Sequence, residues 1–105
     1  MNMATDLDIG PLTWVKGEID LALERAGEAL GQFAASQNAA QIGEARNHLR
    51  QARGALTIVG LDGVTQFAEA LEALLASFED GSIVATPEAA EAGRKGFAAI
   101  RLYLD

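Results

Sequence analysis

The sequence predicts an all-α protein, an up-down-up-down antiparallel bundle of four helices in a single domain. Its 105 residues, half of them hydrophobic, suffice for one small core and leave no room for a second domain. Only two prolines and few aromatic residues occur, a composition typical of helices. Apolar residues recur at steps of three and four along four segments, which predicts helices at about 11–35, 38–60, 62–80 and 86–104.

The first helix is predicted to begin at Pro11, because proline has a helical φ and fits the first turn of a helix. Residues 1–10 before it are interpreted as an N-terminal arm. The apolar stripe of this helix consists of Leu12, Val15, Ile19, Leu23, Ala26, Leu30 and Phe33. Trp14 and Leu21 lie one heptad apart outside the stripe, so they predict either a second contact surface or a patch covered by the arm.

The second helix follows the polar cluster 36–38, which can end one helix and start the next. Its apolar stripe consists of Ile42, Ala45, Leu49, Ala52, Leu56 and Val59. The segment 60–63 contains two glycines and ends this pattern, and Asp62 is predicted as the N-cap of the third helix. The third stripe consists of Val64, Phe67, Ala68, Leu71, Leu74, Leu75 and Phe78.

The fourth helix has the clearest start signal, with Thr86 as N-cap, Pro87 at the first helical position and Glu88 in the first turn. Its apolar stripe consists of Ala89, Gly93, Phe97, Ile100 and Leu104. All the predicted connections are short, and helices joined by a few residues must lie antiparallel.

The charge and composition exclude several classes of function. A formal net charge of -7 opposes binding to nucleic acid or to an anionic membrane surface. The chain has no cysteine, and its start has neither a basic nor an apolar leader region, which favours a cytoplasmic protein without a membrane segment. The carboxylates of the third helix are interpreted as solvated charges, so we expect no metal and no cofactor. These are Glu69, Glu72, Glu79 and Asp80.

The outward face of the second helix is unusual. At roughly 100° per residue, the residues that point away from the core are Asn47, Arg50, Gln51, Gly54 and Ile58. Glycine inside a helix costs about 1 kcal/mol relative to alanine, so Gly54 suggests the close approach of a partner. Arg46, Arg50 and Arg53 form a basic flank that can attract an acidic partner. The alternative is a tolerated glycine, an ordinary surface isoleucine and solvated arginines.

Two stretches of this region resemble the signature of histidine-phosphotransfer (HPt) domains. The family pattern H-x-L-K-G-(S/A), followed by a second glycine six residues after the first, aligns with Arg50-Gln51-Ala52-Arg53-Gly54-Ala55 and Gly60. A helix with a leucine-glutamate pair then follows, here Leu71-Glu72. The resemblance implies that Arg50 stands where the family has its phosphoacceptor histidine, and that Arg53 is its basic residue.

A wider resemblance covers nearly the whole chain. The strings Gly10-Pro11-Leu12-Thr13-Trp14-Val15 and Gly54-Ala55-Leu56-Thr57-Ile58-Val59-Gly60-Leu61 are similar to the N-terminal domain of the large chemotaxis-type hybrid sensor histidine kinases that control type IV pili and twitching motility. Such kinases carry several HPt-like domains in series, some with the acceptor histidine replaced. The resemblance implies a receiver or kinase domain of a two-component system as partner.

The residue change at position 50 alters the chemistry. A neutral imidazole nitrogen can accept a phosphoryl group, whereas a guanidinium stays protonated and offers only donors. Gly54 and Arg53 are expected to preserve the docking geometry of the family, while Arg50 removes the transfer reaction. The sequence therefore predicts a pseudo-phosphotransfer domain with no catalytic residue of its own.

Two alternatives stay open. His48 is the only histidine, and an active phosphotransfer domain would have to use it, although it lies roughly 200° around the helix from Arg50. A plain helical interaction domain, similar to HPt only in bundle geometry, is the other. Oligomeric state is not indicated by the sequence.

Overall fold

The computed structural model describes residues 3–104, and for residues 3–12 it describes the backbone alone. Four helices make up the fold: α1 Met3–Ser36, α2 Ala39–Ile58, α3 Asp62–Asp80 and α4 Pro87–Leu104. The connections are short, so consecutive helices run antiparallel. Each helix packs against its two neighbours, and within the described residues no Cα atom of α1 lies within 8 Å of one in α3, nor one of α2 within 8 Å of one in α4. The predicted four-helix bundle is confirmed.

The N-terminal arm is the main error in the predicted boundaries. The backbone is helical from Met3, so residues 3–10 continue α1 instead of forming an arm. The physical reason is that Pro11 has a helical φ and lacks only one donor, while Gly10 has no side chain to clash with the proline ring. Proline at this position therefore does not stop the helix on its N-terminal side.

The other helix ends follow the predicted pattern with one exception. The side chain of Asn38 caps α2 by accepting a hydrogen bond from the backbone N–H of Ala40 at 3.0 Å. Thr86 caps α4 in the same way, accepting from the N–H of Ala89 at 3.1 Å. The prediction for α3 was wrong, because Leu61 holds the N-cap position and Asp62 is the first helical residue. Asp62 there complements the positive end of the helix dipole.

Two glycines form the turns on either side of α3. Gly60 has a φ of 77° and Gly81 a φ of 82°, both in the left-handed region where a side chain is strained. The second glycine of the HPt-like pattern thus serves the turn between α2 and α3. No helix in the described part of the chain is both long enough and apolar enough to cross a membrane.

The core is one apolar cluster to which all four helices contribute. The largest fully buried side chains are Ile19, Leu23, Leu30, Ile42, Leu49, Leu56, Leu75 and Ile100. Leu71 and Phe97, also predicted to be buried, are 8% and 2% exposed. On α4, Gly96 allows a close approach, since a Cβ there would lie 2.7 Å from Cδ2 of Leu71. The five buried residues of α2 define its inner face: Ile42, Ala45, Leu49, Ala52 and Leu56.

Leu49→Ala should lower the free energy of unfolding by about 2–5 kcal/mol, because it leaves a cavity in this cluster. Leu102→Ala is the matched control, since Leu102 is 76% exposed on α4 and the same truncation there should cost less than about 0.5 kcal/mol. Urea denaturation followed by circular dichroism measures both. Equal losses for the two variants would contradict the core described here.

Candidate functional site

The outer face of α2 is the surface that the sequence singled out, and the bundle leaves it open. Asn47, Arg50 and Gln51 are exposed, and Gly54 is partly exposed one turn after Arg50. Ile58, one turn further, is 84% exposed. These five residues therefore share one face of α2 that no other helix covers in the described part of the chain.

Gly54 has no role in packing the bundle. A Cβ built at this position meets no atom within 4 Å, so alanine or a larger side chain has free space there. The backbone at residue 54 is helical, which excludes a turn as the reason for the glycine. The free-energy cost of this glycine in the helix therefore has no compensation within the domain, and the same holds for Gly17 and Gly43.

Arg46 and Arg53 do not point to solvent with Arg50, but toward α3. Arg46 forms an ion pair with Glu79, and Arg53 forms one with Glu72. The side chain of Glu72 is only 19% exposed, so the prediction that it is a solvated charge was wrong. Antiparallel packing of α2 and α3 brings these charges together, which the spacing along either helix alone does not show. The basic flank is neutralised at two of its three positions.

Arg50 is the third member of the flank and has no partner. Its side chain forms no ion pair or hydrogen bond with any residue from 13 to 104. Arg46 opposite Glu79 and Arg53 opposite Glu72 set the antiparallel register, which places Arg50 opposite Leu75 and its neighbour Ala76. Leu75 is fully buried and Ala76 carries only a methyl group, so α3 offers no carboxylate at this level.

A groove between α1 and α2 extends this surface. Its volume is about 370 Å³, and its lining is mainly apolar: Trp14, Val15, Glu18, Ala22, Gln51, Ala55 and Ile58. Trp14 is 68% exposed at the rim. The structure thus joins Trp14 to the outer face of α2, whereas the sequence suggested two separate surfaces. Leu21 is 39% exposed and does not line the groove.

The arm that was predicted as one possible cover for Trp14 does not exist as such. Residues 3–10 continue the axis of α1 and so lead away from Trp14 instead of folding back over it. Side chains of residues 3–12, including the apolar ones expected to form that cover, lie outside the described part. Of the two interpretations of Trp14, a contact surface agrees with its exposure.

His48 lies on the other flank of α2 from Arg50, as the sequence geometry predicts. It is half-buried, three residues before Gln51 on the side that faces α1. Its Nδ1 atom is buried and has no hydrogen-bond partner among the described residues. A nitrogen in this position is not directed to the open face that carries Arg50 and Gly54.

Comparison with models of protein families, with curated proteins and with solved structures finds no match to this chain. Among the residues whose side chains the structure describes, no three His, Asp or Glu side chains form a group that could hold a metal ion.

Gly54→Ala should raise the free energy of unfolding by about 0.5–1 kcal/mol, because alanine favours the helix and its methyl group meets open space. Gly96→Ala is the matched control on α4, where the added Cβ would press on Leu71 and the stabilisation should be absent. Thermal or urea denaturation of both variants checks this. A destabilised Gly54→Ala protein would show that the bundle itself requires this glycine.

Proposed function

We propose that this chain is a signalling module with an HPt-like bundle and no acceptor histidine, which acts as a docking or regulatory domain of a larger chemotaxis-type hybrid kinase. The observation that carries the proposal is the pair Arg50 and Gly54 on the open face of α2. Gly54 is unnecessary for the bundle, as are the helical Gly17 and Gly43, but it is the one of the three that follows Arg50 by one turn. A partner that approaches the backbone closely beside Arg50 accounts for a glycine at this position. Arg50 is exposed one turn before it, at the acceptor position of the resemblance.

The chemistry of Arg50 supports docking without transfer. In-line attack on an aspartyl phosphate needs a lone pair on the attacking atom, and the guanidinium has none to offer. It can donate hydrogen bonds to a carboxylate or phosphoryl oxygen, which makes it a binding group. The domain would then hold a receiver or kinase domain of a two-component system in place without accepting its phosphoryl group.

The runner-up, an active domain that uses His48, has less support. The half-buried imidazole lies on the flank of α2 toward α1, so a receiver on the open face of α2 would not reach it without rotation of the helix. That rotation would expose the buried stripe of α2 to water and remove its five residues from the core. A plain helical interaction domain remains the third candidate, and phosphorylation experiments distinguish it from the first.

The unmodified domain should remain unlabelled when it is incubated with radiolabelled, phosphorylated receiver domains encoded in the same gene or beside it. Arg50 lacks a nucleophilic lone pair, and His48 does not face the docking surface. Acid quenching is avoided so that phosphohistidine survives, and mass spectrometry locates any modification. Phosphate found on His48 would overturn the proposal and establish the runner-up.

Arg50→His should gain phosphorylation from at least one of the same donors, because it places an imidazole on the open face of α2, one turn before Gly54. Folding should change by only a few tenths of a kcal/mol at this exposed position. Lys95→His is the matched control, since Lys95 is an exposed cation on α4 and the new imidazole there should stay unlabelled.

A second substitution tests the reason given for the glycine. Gly54→Leu combined with Arg50→His should suppress the labelling by blocking the approach of the donor, while the added side chain meets nothing within the bundle. A folded Arg50→His protein that no donor labels would contradict the proposed docking geometry. Full labelling of the Gly54→Leu double variant would contradict the proposed role of Gly54.

A further inference from the structure

The basic residues of this domain differ in whether a carboxylate neutralises them. Five of the eight basic residues form ion pairs, namely Lys16, Arg46, Arg53, Arg94 and Arg101. The remaining three, Arg25, Arg50 and Lys95, have no partner in the part of the chain whose side chains are described. A chain with a net charge of -7 has more than enough carboxylates to pair each of them.

Arg50 is the most isolated of these three from negative charge. On a helix, residues three and four positions away are the neighbours that compensate a charge. Arg25 has Glu28 at such a position, and Lys95 has Glu91. The corresponding neighbours of Arg50 are Arg46, Asn47, Arg53 and Gly54, none of which is acidic. The residues of α3 at the level of Arg50 are Leu75 and Ala76, so neither its own helix nor α3 supplies a carboxylate there.

Ion pairs thus join α2 to α3 on both sides of Arg50, at Arg46 and at Arg53, whereas Arg50 itself has no partner on α3. Glu72 and Glu79 are already engaged by Arg53 and Arg46, which lie on either side of Arg50. The two ion pairs carry no net charge. The guanidinium of Arg50 between them is therefore an exposed positive charge on a molecule whose net charge is negative. Such a charge attracts a carboxylate from outside and can bind it in bidentate geometry.

The apolar part of the same surface lies at a defined distance from Arg50. Ile58 follows Arg50 by eight residues, a rise of about 12 Å along α2. Ile58 and Trp14 stand at the rim of the groove between α1 and α2, where both are exposed. Gly54 lies between Arg50 and Ile58 and lets another backbone approach the helix there.

We infer that the partner docks through a segment that supplies the missing carboxylate to Arg50 and inserts an apolar side chain, about 12 Å away, beside Ile58 and Trp14. This inference deepens the proposed function, on which its choice of a receiver or kinase domain rests, by naming the chemistry of the partner. The carboxylate determines the register of the contact, and the apolar side chain contributes most of the buried area.

A synthetic helical peptide tests the inference without any natural partner. The peptide carries a glutamate and, two turns further on the same face, a leucine, and its control has glutamine in place of the glutamate. In a titration of the isotope-labelled domain followed by NMR, the acidic peptide should shift the Nε resonance of Arg50, the methyls of Ile58 and the indole of Trp14. The glutamine peptide should bind about tenfold more weakly.

Two variants of the domain give the matched comparison. Arg50→Ala should weaken binding of the acidic peptide about tenfold and leave the glutamine peptide unaffected, whereas Lys95→Ala should change neither affinity more than about twofold. Equal shifts at Arg25, Arg50 and Lys95, or equal affinities of the two peptides, would overturn the inference, because they would show attraction to charge in general.

Receiver domains separate this inference from the proposed function. If a receiver binds the domain and Arg50→Ala weakens that binding as it weakens the peptide, both stand. If a receiver binds and Arg50→Ala has no more effect than Lys95→Ala, the inference is wrong and the proposed function is retained. If the peptide selects Arg50 but no receiver or kinase domain binds, the partner belongs to another class of protein and the proposed function is wrong.

Discussion

Burial of the inner stripe of α2 is the constraint on which the rest of the structure depends. Five residues of this helix are almost completely shielded from water by α1 and α3: Ile42, Ala45, Leu49, Ala52 and Leu56. Rotating the helix would expose this stripe to water, and exposing apolar surface costs about 25 cal/mol of free energy for each Å². The rotation of α2 is therefore determined, and with it the residues that face solvent.

The two flanks of α2 acquire different environments as a consequence. The flank toward α3 carries arginines, and the opposed carboxylates of Glu72 and Glu79 neutralise two of them. The flank toward α1 carries His48 and the groove that Trp14 borders. Between the flanks lies a face with no role in the fold, where Gly54 and the unpaired Arg50 occur together. A partner is the simplest explanation for both residues, since the bundle requires neither of them.

Much of this arrangement could be predicted because it depends on local patterns. Apolar periodicity identified four helices and the buried stripe of α2, and capping residues such as Asn38 and Thr86 marked helix starts. Helical geometry also placed Arg50 outward and His48 on another side. The start of α1 was missed because Pro11 was taken as a boundary, although proline preceded by glycine can be accommodated within a helix.

The sequence by itself determined the helices, the inner face of α2 and the outward position of Arg50, because each follows from the order of residues along one helix. Phe67 was wrongly placed in the apolar stripe of α3, since it is 44% exposed. Only the tertiary structure decided which charges meet. The register between α2 and α3 pairs Arg46 and Arg53 with carboxylates and leaves Arg50 opposite Leu75 and Ala76. The packing of α1 against α2 likewise joins Trp14 to Ile58. Both depend on how two helices are placed along each other, which the periodicity of either one does not specify.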